Sequence, residues 1–332
     1  MTNDDDREPA SPATGTGALA ERAAFYAELT VRNKGVVAAA EQRALHEATV
    51  LVAGCGSIGG AAVEPLTRLG VQRFVLADPG TYELNNLNRQ SATAADIERN
   101  KASVAGRRVR DINPYASVEV FTEGVTRQTV RKLTGSCQVI IDGVDVTTRE
   151  GWQAKHLLHR HAVRRRLPLI TGWDMAGTQY VRCYDYRHVR EPFDGTISMR
   201  DAARLDMWEL LRRAVPLRYV PTDMLAEIRA NHARTDYSFP QVAYTATAFG
   251  VISSHMVVRL LAGRPVRHRI RLDVHQKACP RGEQWRSRAR WPVELAALLP
   301  QLLRMVRDSG ADRVPGTAKD PGDPGMSRIP RP

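Results

Sequence analysis

The stretch ATVLVAGCGSIGG (residues 48–60) decides the fold. An apolar run ends in glycine, and a helix-spaced segment follows at once. Gly54, Gly56 and Gly59 form a G-x-G-x-x-G between that strand and that helix. Gly54 permits the tight turn, Gly56 lets the backbone approach a ligand, and Gly59 lets helix and strand pack closely. The helix at 57–70, ended by Gly70, offers unpaired N–H groups and a positive dipole end to an anion. Asp78 follows Gly54 by 24 residues, at the end of the strand VQRFVLADP (71–79). There a carboxylate can bond both hydroxyls of a ribose. The pattern predicts a nucleotide site. Its alternative is a tight turn in a sheet with a surface Asp.

Outward from this stretch, strands at 48–56, 71–79, 117–125, 137–145 and 167–174 alternate with helices at 57–70, 100–113, 126–135 and 148–166. That order predicts an α/β fold, a doubly wound, mostly parallel Rossmann-like sheet. Two helices, 18–29 and 36–47, precede it. GTQYVRCYDYR (177–187) alternates and leaves the parallel series. Residues 188–240 read as an inserted helical crossover segment with amphipathic helices at 199–214 and 221–232. A long apolar helix (241–263, capped by Gly263), a strand (265–275) and a helix (292–310) follow. The expected organisation is a disordered tail (1–18), a nucleotide-binding core (19–187), the insertion (188–240), the rest of the same domain (241–310) and a second disordered tail (311–332). No internal repeat is visible.

The bulk numbers narrow the function classes. The chain has 332 residues, 43% hydrophobic and 25% charged, enough for a sizeable core. No apolar run reaches the roughly 20 residues that span a bilayer. The N-terminus is polar and acidic, unlike a signal peptide, so a cytoplasmic protein without a membrane partner is expected. Cys55, Cys137, Cys183 and Cys279 form no C-x-x-C pair, which argues against structural zinc and for buried thiols. Net charge is +12, and residues from Gly263 onward hold 15 Lys+Arg against 7 Asp+Glu. This balance suits anionic partners such as nucleotides, RNA or acidic carriers.

The stretch ELNNLNRQ (83–90) separates two nucleotide chemistries. A nicotinamide enzyme needs an apolar pocket and a proton donor, and has no use for an arginine just past the ribose acid. Cleaving ATP between its α- and β-phosphates needs cations there, to hold the leaving pyrophosphate and to stabilise charge as a carboxylate attacks. Arg89 offers a fork of donors. Lys101, at the start of the next helix, offers a point charge. Asp145, at the end of the fourth strand, points to the same sheet edge, and one carboxylate with phosphate oxygens is how Mg²⁺ is usually held; Asp142 precedes it by three residues. Taken singly, Arg89 could be a surface arginine, Lys101 a first-turn lysine, and Asp145 a helix N-cap. Their joint place at successive strand ends favours ATP.

GCGSIGG, the ADP at the second strand end, NNLNRQ, NKA and DGVD together resemble the ThiF-type adenylyltransferases, which are ubiquitin-activating-enzyme-like and akin to molybdopterin-synthase adenylyltransferases. The likeness runs from about Arg32 to Asp174 and resumes at 241–263. It implies Mg²⁺- and ATP-dependent adenylation of a carboxylate: the C-terminus of a ubiquitin-like protein, a peptide or a small acid. Carried over residue by residue, Gly54, Gly56 and Gly59 approach the nucleotide and Asp78 binds its ribose. Asn86, Arg89 and Lys101 contact phosphates, and Asp145 holds Mg²⁺. Arg32, in TVRNKG, resembles an arginine that reaches the ATP of a partner protomer, which implies a homodimer. The chain departs from the family at Gly80, often an acid, and at Val146, often Asn. It has no cysteine in 188–240, which argues against a thioester step.

Two further stretches bear on function. KHLLHRHAVRRR (155–166) places His156, His159 and Arg160 on one helix face, expected to be a solvated face beside the sheet, with metal or RNA binding as alternatives. No aromatic residues interleave to stack bases, so nucleic acid is not favoured. In WDMAGTQYV (173–181), Gly172 just before it and Gly177 within it could admit a slim acyl chain or serve as turn glycines. Rival functions are a tRNA-modifying ATP-dependent dehydratase of the same family, a dinucleotide oxidoreductase, and a non-catalytic nucleotide-binding scaffold.

Overall fold

Strand β1 (Thr49–Ala53) is buried at every residue, and its alternate side chains feed two cores. Leu51 and Ala53 join one cluster, Val50 and Val52 the other. A parallel strand covered on both faces has to be apolar throughout, which explains its unbroken run. The computed structural model describes residues 16–231 and 239–311. Its sheet also contains β2 (Arg73–Ala77), β3 (Ser117–Phe121), β4 (Val139–Asp142), β5 (Pro168–Met175), β6 (Thr178–Asp185) and β7 (Arg269–Asp273), in the order β3-β2-β1-β4-β5-β6-β7. β1 to β5 pair in parallel, and β6 pairs antiparallel with both β5 and β7. Strand order reverses between β1 and β4, and ligands of open α/β sheets bind at such a switch point, beyond the carboxyl ends of the strands.

After α1 (Thr16–Leu29) and α2 (Ala39–Glu47), helix α3 (Ser57–Leu69) leaves β1 through the glycine turn. It ends at Gly70, whose φ of 104° is left-handed. Helix α4 (Lys101–Ile112) joins β2 to β3, and α5 (Val130–Leu133) and α6 (Arg149–Arg165) lie on either side of β4 in sequence. The insertion folds as α7 (Met199–Arg204), α8 (Met207–Ala214) and α9 (Thr222–Asn231). Then come α10 (Ala243–Leu261), which packs against α3, a short α11 (Val274–Ala278) and α12 (Arg281–Ala311), which packs against α9. The α10–α3 crossing is close: a Cβ on Gly250 would lie 2.2 Å from the Ala61 carbonyl oxygen.

Several expectations change. The helix expected at 199–214 is two, because Asp206 breaks the run and caps α8 by accepting from the Glu209 N–H. The helix expected from Pro292 begins at Arg281 and runs through the proline; Glu294 accepts from Arg229 of α9 and Trp291 donates to the Val220 carbonyl just before α9, contacts that offset the lost N–H bond. The fourth strand stops at Asp142, not 145. Gly143 N–H makes a last bond to the Ala53 carbonyl, and the Asp142 carboxylate then accepts the Val144 N–H and turns the chain out. Residues 16–18 of the first expected tail are helical and Ala311 closes α12; the rest of both tails lies outside the described residues.

The α6 histidines also differ from expectation. His156 and His159 are buried rather than solvated, and no cluster able to hold a metal occurs among the described residues. Asp142 Oδ2 lies 2.8 Å from Lys155 Nζ and 2.9 Å from His159 Nε2. Lys155 also donates to Thr171 Oγ1, and His159 Nδ1 meets the Tyr186 hydroxyl at 2.6 Å. Burial alone would push the Asp142 carboxyl up, but Lys155 and His159 hold it below its usual range. Burial pushes the His159 imidazole down, against the pull of Asp142. The stacked ring of Phe193, 3.7 Å from that of His159, ties the start of the insertion to this network. Asp142→Ala should cost about 3–5 kcal/mol, since it strands a buried lysine. Urea unfolding measures this, and the double variant Asp142→Leu with Lys155→Met should recover most of the loss.

Candidate active site

Backbone contact sets the floor of the site. A Cβ on Gly59 would lie 1.8 Å from the Gly54 carbonyl oxygen, and one on Gly54 (φ 84°) 2.1 Å from the Gly143 carbonyl oxygen. The glycine turn and the loop after β4 therefore pack with no side chain between them. A Cβ on Gly56 would meet nothing closer than Gln90 Oε1 at 3.5 Å, so this glycine leaves its backbone open. As the N-cap of α3, Gly56 brings no side chain to the first-turn N–H groups. They are left to an anion or to water.

Asp78 follows β2 and is buried. One carboxylate oxygen accepts the Cys55 N–H at 2.6 Å and the other the Gly80 N–H at 2.7 Å. Each oxygen keeps a second lone pair, the pattern that two ribose hydroxyls require. Burial raises its pKa, and the two N–H bonds and Lys101 oppose the rise. Asn100 Nδ2 donates to the carbonyls of Asp78 and Gly80, and its Oδ1 caps α4 through the Ser103 N–H. This clamp delivers Lys101, whose Nζ lies 5.7 Å from the centre of the Tyr82 ring. At Gly80 a Cβ would lie 3.1 Å from Asp78 Oδ1 and 3.7 Å from Lys101 Cε. A side chain there would crowd the Asp78 carboxylate and only touch Lys101.

The stretch 83–90 forms a short 3₁₀ turn (Leu84–Asn86) beside these groups. Asn86 is buried and spends its Oδ1 on the Glu83 N–H, so it also shapes the turn. Arg89 is held by the Asn85 carbonyl and Asn88 Oδ1, at 3.0 and 2.8 Å. Asn88 in turn donates to the Gln241 carbonyl, which ties the turn to the segment entering α10. Asp145 is exposed in the loop after β4 and accepts from the Thr147 N–H and hydroxyl; Thr148, not Asp145, caps α6.

One cavity of about 1330 Å³ joins these groups. Of the expected residues, Gly54, Gly56, Asp78, Asn86, Arg89, Lys101 and Asp145 line it, and Gly59 packs beneath. Arg32 does not line it; it is exposed in a 3₁₀ turn (Val31–Asn33) between α1 and α2. Gly172 lines the cavity with its Cα against the Phe249 ring, whereas Gly177 is a hairpin glycine against the His275 ring. Cys55, Cys137 and Cys183 are buried and Cys279 is partly so; none of the four lines the cavity.

Asp174 was not foreseen as a site residue. It is buried on β5, lines the cavity and accepts a hydrogen bond from Ser57 Oγ, at the first residue of α3. Burial pushes its carboxyl up to about 6, against Ser57 and Arg89. Its Oδ1 has no partner. Neither have Arg89 Nε, Gln90 Oε1 and Trp173 Nε1, all buried at the same cavity. Buried polar atoms are normally paired; four of the twelve unpaired ones among the described residues are on residues that line this cavity, which makes it a candidate polar-ligand site. The sequence trace of Asp174 was its place as an acid at the end of the expected fifth strand (167–174), the signal that singled out Asp78 and Asp145.

The sequence profile of the ThiF family matches residues 30–278. The uncharacterised protein MT1398 of Mycobacterium tuberculosis is 34% identical over 184 residues, 54% of this chain and 25% of that protein. The sulfur carrier protein ThiS adenylyltransferase of Bacillus subtilis is 31% identical over 134 residues, 40% of this chain and 38% of that protein. The chain thus spans well under half the length of these relatives. Among solved structures, PaaA superposes with a TM-score of 0.54 at 19% identity, covering 80% of this chain and 82% of that one. Escherichia coli MccB with succinimide gives 0.51 at 18% identity, covering 74% and 67%. These two likenesses share the fold, and the profile match covers three quarters of the sequence: the chain belongs to the ThiF family.

Proposed function

We propose that the protein is an adenylyltransferase that uses ATP to activate a carboxylate. The observation that carries this reading is the group of orphaned polar atoms on Arg89, Gln90, Trp173 and Asp174, in a cavity that also holds the open glycine turn, Asp78 and Lys101. Asp78 takes the ribose hydroxyls, and the α3 N-terminus and Gly56 take phosphate oxygens. Arg89 and Lys101 hold the β- and γ-phosphates. A carboxylate oxygen of the substrate attacks the α-phosphorus in line; the bond from that phosphorus to the β-bridging oxygen breaks, and pyrophosphate leaves with that electron pair. The product is an acyl adenylate. Charge gathers on the departing pyrophosphate, where two fixed cations stabilise it without reorganising. Much of the remaining rate comes from holding two anions in register.

Asp145 suits Mg²⁺, which needs one or two carboxylates beside phosphate oxygens and no closed protein cage. When bound, the ion would neutralise phosphate charge during transfer. No cysteine lines the cavity, so the acyl adenylate is expected to pass directly to its acceptor rather than through a thioester. Arg32 can serve only from another copy of the chain, since it lies outside its own cavity. The active unit is then a homodimer.

ATP–pyrophosphate exchange with a panel of carboxylates tests the reading. Exchange should depend on an added acid, and Arg89→Ala or Asp145→Ala should lower it at least 100-fold with unchanged melting; exchange that survives both variants would sink the assignment. Mixing Arg32→Ala with Asp145→Ala, each inactive alone, should restore activity through hybrid dimers, and no restoration would remove Arg32 from the site. Asp174 gives a pH test on the ligand-free protein. Unfolded, its carboxyl ionises near its ordinary 3.8, and folded near about 6, so stability is lost as pH rises between these values. Asp174→Asn should therefore gain up to about 3 kcal/mol over the native chain at pH 7–8, and nothing at pH 3–4. Equal gains at both pH values would contradict it.

A further inference from the structure

The cavity has a second half that the nucleotide does not explain. At about 1330 Å³ it exceeds the ~1,000 Å³ upper range for one drug-sized ligand. Its polar half surrounds the glycine turn. Its other half is lined by Trp208, Leu211, Leu217, Val220, Met224 and Ile228 of the insertion. Trp208 and Leu211 on α8, and Met224 and Ile228 on α9, recur at three- and four-residue spacing, so each helix turns one apolar stripe inward. Phe239 and Leu298 of α12 complete the wall, with the Phe239 ring edge-on to Trp208 at 5.3 Å. Among the described residues, the one charged side chain that the insertion adds to the lining, Arg212, is paired with Glu209 at 2.9 Å.

This wall is fixed to the rest of the fold. Trp291 Nε1 donates to the Val220 carbonyl, Thr222 Oγ1 to the Ser287 carbonyl, and Arg271 Nε to the Tyr219 carbonyl. Arg229 pairs with Glu294 at 2.9 Å. Four tethers to α12 and β7 fix this wall; Asp174, bonded to Ser57 of the glycine-turn helix, and Trp173, clustered with Val220 and Met224, line the cavity between the two sets of residues.

We propose that this half seats the body of the acyl substrate, and that the substrate is a small carboxylic acid with a bulky aliphatic or aromatic group. The proposal rests on the adenylation reading. With its carboxylate at the junction, such an acid lays its apolar part on the insertion helices and gains by leaving water. The glycine end of a carrier protein has no side chain to fill this space and would leave the wall wet.

Calorimetry on the full chain with Mg²⁺ and α,β-methylene-ATP tests it, using 3-phenylpropionate and octanoate as apolar acids and a hexapeptide ending in Gly-Gly as the rival. The apolar acids should bind at least tenfold more tightly than the peptide. Leu211→Asp and Ile228→Asp should weaken them at least tenfold, with nucleotide affinity kept within twofold. If either variant no longer binds nucleotide, Leu211→Ala and Ile228→Ala replace it, with about a threefold loss expected. Peptide binding equal to or tighter than that of the acids, acid binding indifferent to these variants, or no acid binding beside bound nucleotide would each overturn the proposal. The acids are also titrated without nucleotide. If the unaltered chain fails to bind nucleotide, the adenylation reading fails by itself, and the chamber stands or falls on whether acid binding still follows Leu211 and Ile228.

Discussion

Everything in the site hangs on a contact that excludes side chains. The turn after β1 and the loop after β4 touch backbone to backbone through Gly54, Gly59 and Gly143, with no space for a single methyl group. This contact lies at the sheet's switch point, between neighbouring strands β1 and β4. It brings the helix N-terminus on one side and Asp145 on the other to the same cavity. A larger residue at Gly59 would have to move the Gly54 carbonyl, and the turn with it. The cost falls on the fold before it falls on any ligand.

Around that contact the charges divide by task. Asp142 is neutralised by Lys155 and His159 and ties β4, α6 and the start of the insertion together. Asp78 is fixed by backbone N–H groups from two loops. Asp142 is fully partnered and serves as structure, whereas each Asp78 oxygen accepts one N–H and keeps a lone pair toward the cavity. Arg89, Gln90, Trp173 and Asp174 keep unpartnered atoms at the cavity. A buried polar group without a partner costs about 1–3 kcal/mol. Four of the twelve such atoms among the described residues belong to residues that line this cavity.

The parallel core was legible because each buried strand reads as an apolar run and each glycine of the turn has a steric reason. The cluster around the glycine turn was legible because Asp78, Arg89, Lys101 and Asp145 follow strand ends, which the topology gathers. What escaped depends on contacts distant in sequence. Asp174 became a site residue by meeting Ser57, 117 positions away. His156 and His159 share a spacing with any solvated helix face, and only the sheet beneath decides that they are buried. The break at Leu205–Asp206 hid because the apolar period continues across it while the cap restarts the helix. The extension of α12 before Pro292 hid because a proline ordinarily marks a helix start, and its packing on α9 is invisible in a linear chain.

The polar half of the cavity is proposed to grip a triphosphate rather than to hold a dinucleotide. Titration calorimetry of the unaltered chain with Mg²⁺–ATP and, separately, with NAD measures this most directly, with Arg89→Ala alongside. ATP should bind saturably, at least tenfold more weakly in Arg89→Ala, and NAD should show no detectable binding. NAD binding as tight as that of ATP, or ATP binding indifferent to Arg89, would contradict it.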